Sequence, residues 1–151
     1  MSLDIYLHAD APVPRSRAPR IFIREDGQTK QISREEWDAR YPGREPVTLP
    51  ALDEEDPCVY HANITHNLTT MAEAAGLYTP LWRPEEIGVT RAAQLIPLLR
   101  DGLCLLLAEP QRFEAYNPSN GWGTYRQLCI FVRDYLAACE QYPGARVVVS
   151  R

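Results

Sequence analysis

Two short strings gather most of the polar chemistry of this chain: Tyr60-His-Ala-Asn-Ile-Thr-His-Asn67 and Asn117-Pro-Ser-Asn-Gly-Trp-Gly-Thr-Tyr125. In the first, Asn63, His66 and Asn67 crowd the expected start of a helix of roughly Thr65–Ala75. Free N–H groups and amide side chains at such an end suit an anion or a carbonyl. Asn63 and Thr65 compete to cap that helix, so capping alone accounts for part of the string. Imidazole titrates near neutrality, which makes His66 the candidate general acid or base. In the second string Gly121 and Gly123 let the backbone approach a ligand closely, Asn117 and Asn120 offer amides, and Trp122 and Tyr125 offer flat faces for stacking. The competing account of this string is a well-capped connection between helices with Trp122 plugging the core. Arg83, in Leu81-Trp-Arg-Pro-Glu-Glu86, can grip a phosphate or carboxylate, or pair with Glu85 or Glu86 beside it.

Other chemistries find less support. His61 and His66 fall on a strand and a helix and not one turn apart on a single helix, and no Cys or carboxylate stands at ligand spacing beside them. No metal and no cofactor is therefore expected. The lysine and spacing of a P-loop are absent. Cys58, Cys104, Cys129 and Cys139 form no CxxC pair, and three of them sit in apolar helical patterns where cysteine packs as a small hydrophobe.

The elements that must position these residues follow from periodicity. Leu3, Ile5 and Leu7 alternate with polar neighbours, as in a half-buried strand. The proline-rich Ala11–Pro19 reads as a loop. Arg20–Arg24 and Thr29–Ile32 read as a hairpin turning at Asp26-Gly27, and Ser33 with Glu36 as a capping box opening a helix over Arg34–Tyr41. Arg44–Pro57, with its acidic Asp53–Asp56, is a linker or surface loop. Cys58–Asn63 is extended and leads into the first motif helix. A second helix, capped by Thr90, buries Ala92, Leu95, Ile96, Leu99, Leu103 and Leu106, with a kink or break expected at Pro97 and Gly102. A third spans Thr124–Gln141, buries Leu128, Phe131, Val132, Tyr135, Leu136 and Cys139, and stops at Pro143-Gly144. Val147–Val149 ends the chain as a strand expected beside Leu3–Leu7.

These elements predict one α+β domain over residues 1–151. A small antiparallel or mixed sheet, built from the terminal strands and the hairpin, would pack with about three main helices. The chain has 151 residues, 45% hydrophobic and 24% charged, with a net charge of −4. That composition is globular, and its sign argues against a nucleic-acid partner. The opening residues lack a basic n-region and no apolar run reaches bilayer length, so a cytoplasmic protein without membrane contact is expected.

The series Asn63-Ile-Thr-His-Asn-Leu68, Met71-Ala72, Leu81-Trp-Arg-Pro-Glu-Glu86 and Asn117-Pro-x-Asn-Gly-Trp-Gly-Thr-Tyr125 resembles a family of small phage and bacterial proteins of unknown function. The resemblance covers about Tyr60–Arg151 and the Met1–Leu7 opening, and leaves Ala9–Pro57 uncovered. It implies a phage or prophage setting and the host cytoplasm, and supplies no activity. Three functions stay open. The first is a binding module whose two helix N-termini form one pocket for a small polar or anionic, nucleotide-like molecule, read by Asn63, His66, Asn67, Arg83, Asn117, Asn120, Trp122 and Tyr125. The second is an enzyme using His66. The third is an interaction or inhibitor domain that meets a protein partner through an aromatic hot spot. The first requires the two strings to be neighbours in space.

Overall fold

In the computed structural model, residues 2–10, 21–47 and 57–151 are described. The fold is α+β. The chain divides into two compact units, Met1–Val13 with Asp56–Arg151, and Pro14–Glu55. The expected loop Ala11–Pro19 and the acidic Asp53–Asp56 lie outside the described residues.

The smaller unit holds the hairpin and its helix. Strands β2 (Ile21–Glu25) and β3 (Gln28–Ile32) pair antiparallel in a two-stranded sheet of their own, separate from the terminal strands. The turn at Asp26 and Gly27 has φ of 51° and 76°, the left-handed pair that a two-residue hairpin loop demands. Ser33 and Glu36 close a reciprocal capping box on helix α1 (Arg34–Arg40). Beyond it the Trp37 Nε1–H donates to the Arg44 carbonyl at 2.7 Å.

The larger unit is built on β1 (Ser2–His8), the central strand of a three-stranded antiparallel sheet ordered β4-β1-β5. Its neighbours are β4 (Cys58–Thr65) and β5 (Arg146–Ser150), the latter in the expected pairing of Leu7 with Val147 and Ile5 with Val149. The period of two separates the sheet's faces. Leu3, Ile5 and Leu7 are fully buried and stand opposite Ile64, Ala62 and Tyr60. The next residues along each strand, Asp4 opposite Asn63 and Tyr6 opposite His61, turn to the other face. A register shift between Leu7 and His8 places an irregularity at the start of β4.

Helices cover the apolar face. After β4 comes a short 3₁₀ turn, His66–Leu68, and then α2 (Thr69–Ala74), so the α-helix starts four residues later than its expected start at Thr65. Thr65 caps the turn through its hydroxyl, which accepts the Asn67 N–H at 3.3 Å. Helix α3 (Tyr78–Trp82) and a 3₁₀ turn over Pro84–Ile87 lead into α4 (Ala92–Ala108), α5 (Pro110–Glu114) and α6 (Tyr125–Gln141). Of the kink or break expected at Pro97 and Gly102, the break is absent: helix α4 continues through both residues. Pro97 lies in the second turn, so it removes one hydrogen bond near an end whose first donors are met elsewhere: Ala92 N–H by the Ala145 carbonyl and Ala93 N–H by that of Pro143. Thr90 does not cap this helix by its side chain. Instead the Gln94 Oε1 accepts the N–H groups of Thr90 and Arg91 at 2.8 and 2.9 Å. The core joins Leu3, Ile5 and Leu7 to Leu68, Leu95, Leu99, Leu128, Val132 and Tyr135. Among the described residues no helix is long and apolar enough to cross a membrane.

Gly102 is buried against Leu77, and a methyl group at position 102 would collide with the Leu77 side chain. Helix propensity alone makes Gly102→Ala stabilising by about 1 kcal/mol. Overpacking costs about 1–3 kcal/mol, so packing should win. Urea denaturation is expected to show a lower midpoint for the variant with an unchanged slope, and a raised midpoint would contradict the tight α4–Leu77 contact.

Candidate functional site

The two polar strings are neighbours. Asn67 Nδ2 donates to the Trp122 carbonyl at 3.2 Å, which ties the 3₁₀ turn after β4 to the loop before α6. Gly123, at φ 89°, passes so close that a Cβ there would stand 2.7 Å from the Thr65 Cγ2 and 2.9 Å from the Leu68 Cγ. Only glycine meets both demands, the left-handed backbone and the absent side chain. Gly121 also has positive φ, at 72°.

Local bonds set this loop. The Trp122 N–H donates to the Asn120 Oδ1 at 3.0 Å, and the Tyr125 N–H to the Asn117 Oδ1 at 2.7 Å. Thr124 and Gln127 close a capping box at the head of α6, as the threonine's position predicted. The Tyr125 hydroxyl donates to the Leu106 carbonyl at 2.8 Å, and desolvation pushes its pKa up to about 12. Its ring end is thus an anchor onto α4. Trp122 does not plug the core: it is 71% exposed.

Beside this junction lies a groove of about 540 Å³. One wall is β4, through Tyr60, Ala62, Asn63, Ile64 and Thr65. The other is the flank of α6, through Gln127, Ile130, Phe131 and Asp134, and the loop Gly121–Gly123 closes one end. Tyr60 stacks on the buried Tyr135 with ring centroids 5.9 Å apart. Burial, and secondarily the charge of Asp134, raise the Tyr60 pKa to about 12, so a neutral phenol faces the groove. Asp134 is the one charged side chain among the lining residues.

The expected site residues divide accordingly. Asn63 and Trp122 line the groove. Asn67, Asn117, Asn120 and Tyr125 frame it from behind, each spending a polar atom on the protein itself. His66 and Arg83 do not line it. The His66 ring stands edge-on to Trp82, centroids 6.2 Å apart, with its Nε2 buried and unpartnered among the described residues. Among the described residues no carboxylate pairs with it, so none of them holds the ring as a general base requires. Arg83 pairs with Glu86 at 3.2 Å. Its neighbours Trp82 and Glu85 receive Arg151, which donates to the Trp82 carbonyl at 2.9 Å and lies 2.8 Å from the Glu85 carboxylate. The Leu81–Glu86 motif therefore fastens the chain's last residue.

Gln127, Ile130 and Asp134 were missed by the sequence reading, which followed only the apolar stripe of α6. Their spacing of three and four residues, one step around from Leu128 and Phe131, was the available signal. Also missed was a histidine–carboxylate contact on the outer sheet face. His61 Nε2 lies 3.2 Å from Asp4 Oδ1, which also accepts from Asn63 Nδ2 at 2.9 Å, and the His61 ring stacks on Tyr6 at 4.6 Å. Asp4 and His61 stand fifty-seven residues apart in sequence, and only the strand register joins them. Among the described residues no group of three or more His, Cys, Asp or Glu side chains could hold a metal ion.

No protein-family model matches the chain, and neither a curated protein nor a solved structure does.

The bond from Asn63, and then His61, hold the Asp4 carboxyl below its ordinary 3.8. A depressed folded-state pKa gives stability that is complete above the ordinary value and disappears as pH falls through the lowered one. Between about pH 5 and pH 3 the urea midpoint of the wild type should therefore fall more steeply than that of Asp4→Asn. Parallel profiles would remove Asp4 from the β1–β4 seam's pH dependence.

Proposed function

We propose that this protein is a ligand-binding module whose site is the groove between β4, the flank of α6 and the Gly121–Gly123 loop. The observation that carries the reading is the exposure of Trp122, 71% accessible at the mouth of a groove of about 540 Å³. Removing an indole from the core and holding it in water sacrifices burial that would stabilise the fold by about 2 kcal/mol or more. A ligand that covers the ring recovers that term on binding. The loop is built to present it: Asn120 and Asn67 fix its backbone on both sides, and the glycines on either side let the chain turn sharply.

The chemistry of the lining narrows the ligand. Asp134 supplies a carboxylate, which pairs with the exposed Arg133 at 2.8 Å, while Tyr60, Asn63 and Thr65 supply neutral polar groups. The site therefore favours a small polar ligand that is neutral or cationic and lays a flat or apolar group on Trp122. The anionic, nucleotide-like ligand expected from His66 and Arg83 loses its support, because neither residue lines the groove. The same exposed Trp122, with Ile130 38% exposed beside it, also favours recognition of a protein segment by an aromatic anchor. The phage setting rests on the motif resemblance alone.

Calorimetric titration of the wild type and Trp122→Ala with tryptamine, nicotinamide and AMP tests this reading. Tryptamine is expected to bind the wild type and to bind the variant more weakly, and nicotinamide to bind the wild type less tightly than tryptamine does. AMP should bind neither. Trp122→Ala should weaken any binding detected by calorimetry about tenfold or more, equivalent to about 1.4 kcal/mol, with an unchanged far-UV spectrum. Tighter binding of AMP than of tryptamine would overturn the charge argument, and binding untouched by the substitution would overturn the site.

A further inference from the structure

The groove's β4 wall has an unusual composition. It includes Ala62 and Ile64 and also Asn63 and Thr65, residues of both parities. Side chains of successive strand residues point to opposite faces. A wall touched by both parities is therefore the edge of the strand, where its backbone is exposed, and not one face of the sheet.

The sheet order makes that edge an end of the ladder. Of the two outer strands, β5 has its free side partly occupied: Arg146 bridges to Arg91, and the Val147 N–H donates to the Thr90 carbonyl at 2.9 Å. Among the described residues Tyr60–Thr65 of β4 pairs in the sheet with β1 alone, leaving every second N–H and C=O of that stretch turned outward. Proteins normally blunt such an edge with proline, lysine, a bulge or a short strand. Here the irregularity is confined to the start of β4, and Tyr60–Thr65 carries neither proline nor lysine. Among the described residues the flank of α6 faces this edge across the groove.

We infer that this groove takes a short extended peptide by strand addition, its backbone pairing with the outer edge of β4 and its side chains reaching the flank of α6. The inference rests on the groove being the binding site and names the class of its ligand. The two ends of the groove are chemically different. Gly123 touches Thr65 and Leu68, so the Trp122 loop lies at the C-terminal end of β4. Tyr60 stacks on Tyr135, the residue after Asp134, so the negative charge lies at the other end. From Gln127 to Asp134 the helix rises about 10 Å, the length of about three extended residues. A fitting peptide carries an aromatic or aliphatic side chain against Trp122 and Ile130, and a Lys or Arg about two residues away toward Asp134. Asp134 also pairs with the exposed Arg133 at 2.8 Å, a weak surface pair that a cationic segment can share or displace, whereas an anionic segment gains no partner in the lining. The α6 wall argues against a second copy of the chain, since β4 paired to β4 would bring two such helices to one seam.

An array of random hexapeptides, with the best binder resynthesised for calorimetry, tests the proposal. Binders are expected to share an apolar residue and a Lys or Arg two positions apart. Asp134→Asn should weaken the chosen peptide about tenfold and flatten its dependence on salt. Methylating the peptide's backbone nitrogens one at a time should abolish binding at alternate positions only. A scan without that period of two overturns strand addition. So does an array without binders while tryptamine still binds the wild type by calorimetry, an outcome that leaves the groove as a small-molecule site. Silence in both assays overturns both readings. A dimer in analytical ultracentrifugation that the peptide does not dissociate assigns the edge to a second copy and also overturns the proposal.

Discussion

Gly123 passes Thr65 and Leu68 with no room for a single added carbon, and much of the larger unit's surface follows from that approach. The approach lets the loop before α6 lie directly on the turn after β4. It brings the Trp122 carbonyl within reach of Asn67 and sets the first turn of α6 beside the end of the sheet. The space between α6 and β4 is the groove, bounded at one end by the Gly121–Gly123 loop and lined by Leu68, Ile64 and Phe131 among others. A bulkier residue at 123 would force the loop outward and change the groove's shape before it changed the core.

The same junction shows what a sequence can and cannot say. The terminal strands, the Asp26-Gly27 turn, the capping box at Ser33, the Thr124 cap and the extent of α6 depend on residues within a few positions of one another, and all were legible. The pairing of the last strand with the first was expected only from the presence of a strand near each end of the sequence, and it is present. Less legible was the division of the hairpin into its own sheet, since an alternating strand does not name its neighbour. The asparagines were the hardest case. A surplus of amides beyond local capping looked like ligand chemistry, yet Asn67 is bonded to Trp122 and Asn63 to Asp4, more than fifty residues distant. An amide that braces a distant backbone carbonyl has the same sequence appearance as one that awaits a ligand.

The two faces of the sheet carry different chemistry because β1 alternates strictly. Its apolar residues face the helices and hold the core. Its polar residues assemble Asp4, Tyr6, His61 and Asn63 on the outer face, a set drawn from both β1 and β4. That set contains a histidine held by a carboxylate, the arrangement His66 lacks. It nevertheless lies at a half-exposed surface, with His61 49% accessible, where water competes for every hydrogen bond. A general base needs a substrate held within hydrogen-bond reach. The groove lies instead along the β4 edge and against α6, where the titratable groups are the Tyr60 phenol and the Asp134 carboxylate.

The proposed binding reading rests on that distribution. Tyr60 is kept neutral by burial, Gln127 is committed to its capping box, and the Asp134 carboxylate pairs with Arg133. What the groove offers is directional and passive: a strand edge with unspent hydrogen-bonding groups, an indole held in solvent at one end, and a negative charge at the other. Strand edges supply affinity through a repeating backbone, and side-chain pockets beside them supply selectivity. An edge with different ends distinguishes the direction of what it binds, so the asymmetry between Trp122 and Asp134 would orient a segment as well as hold it.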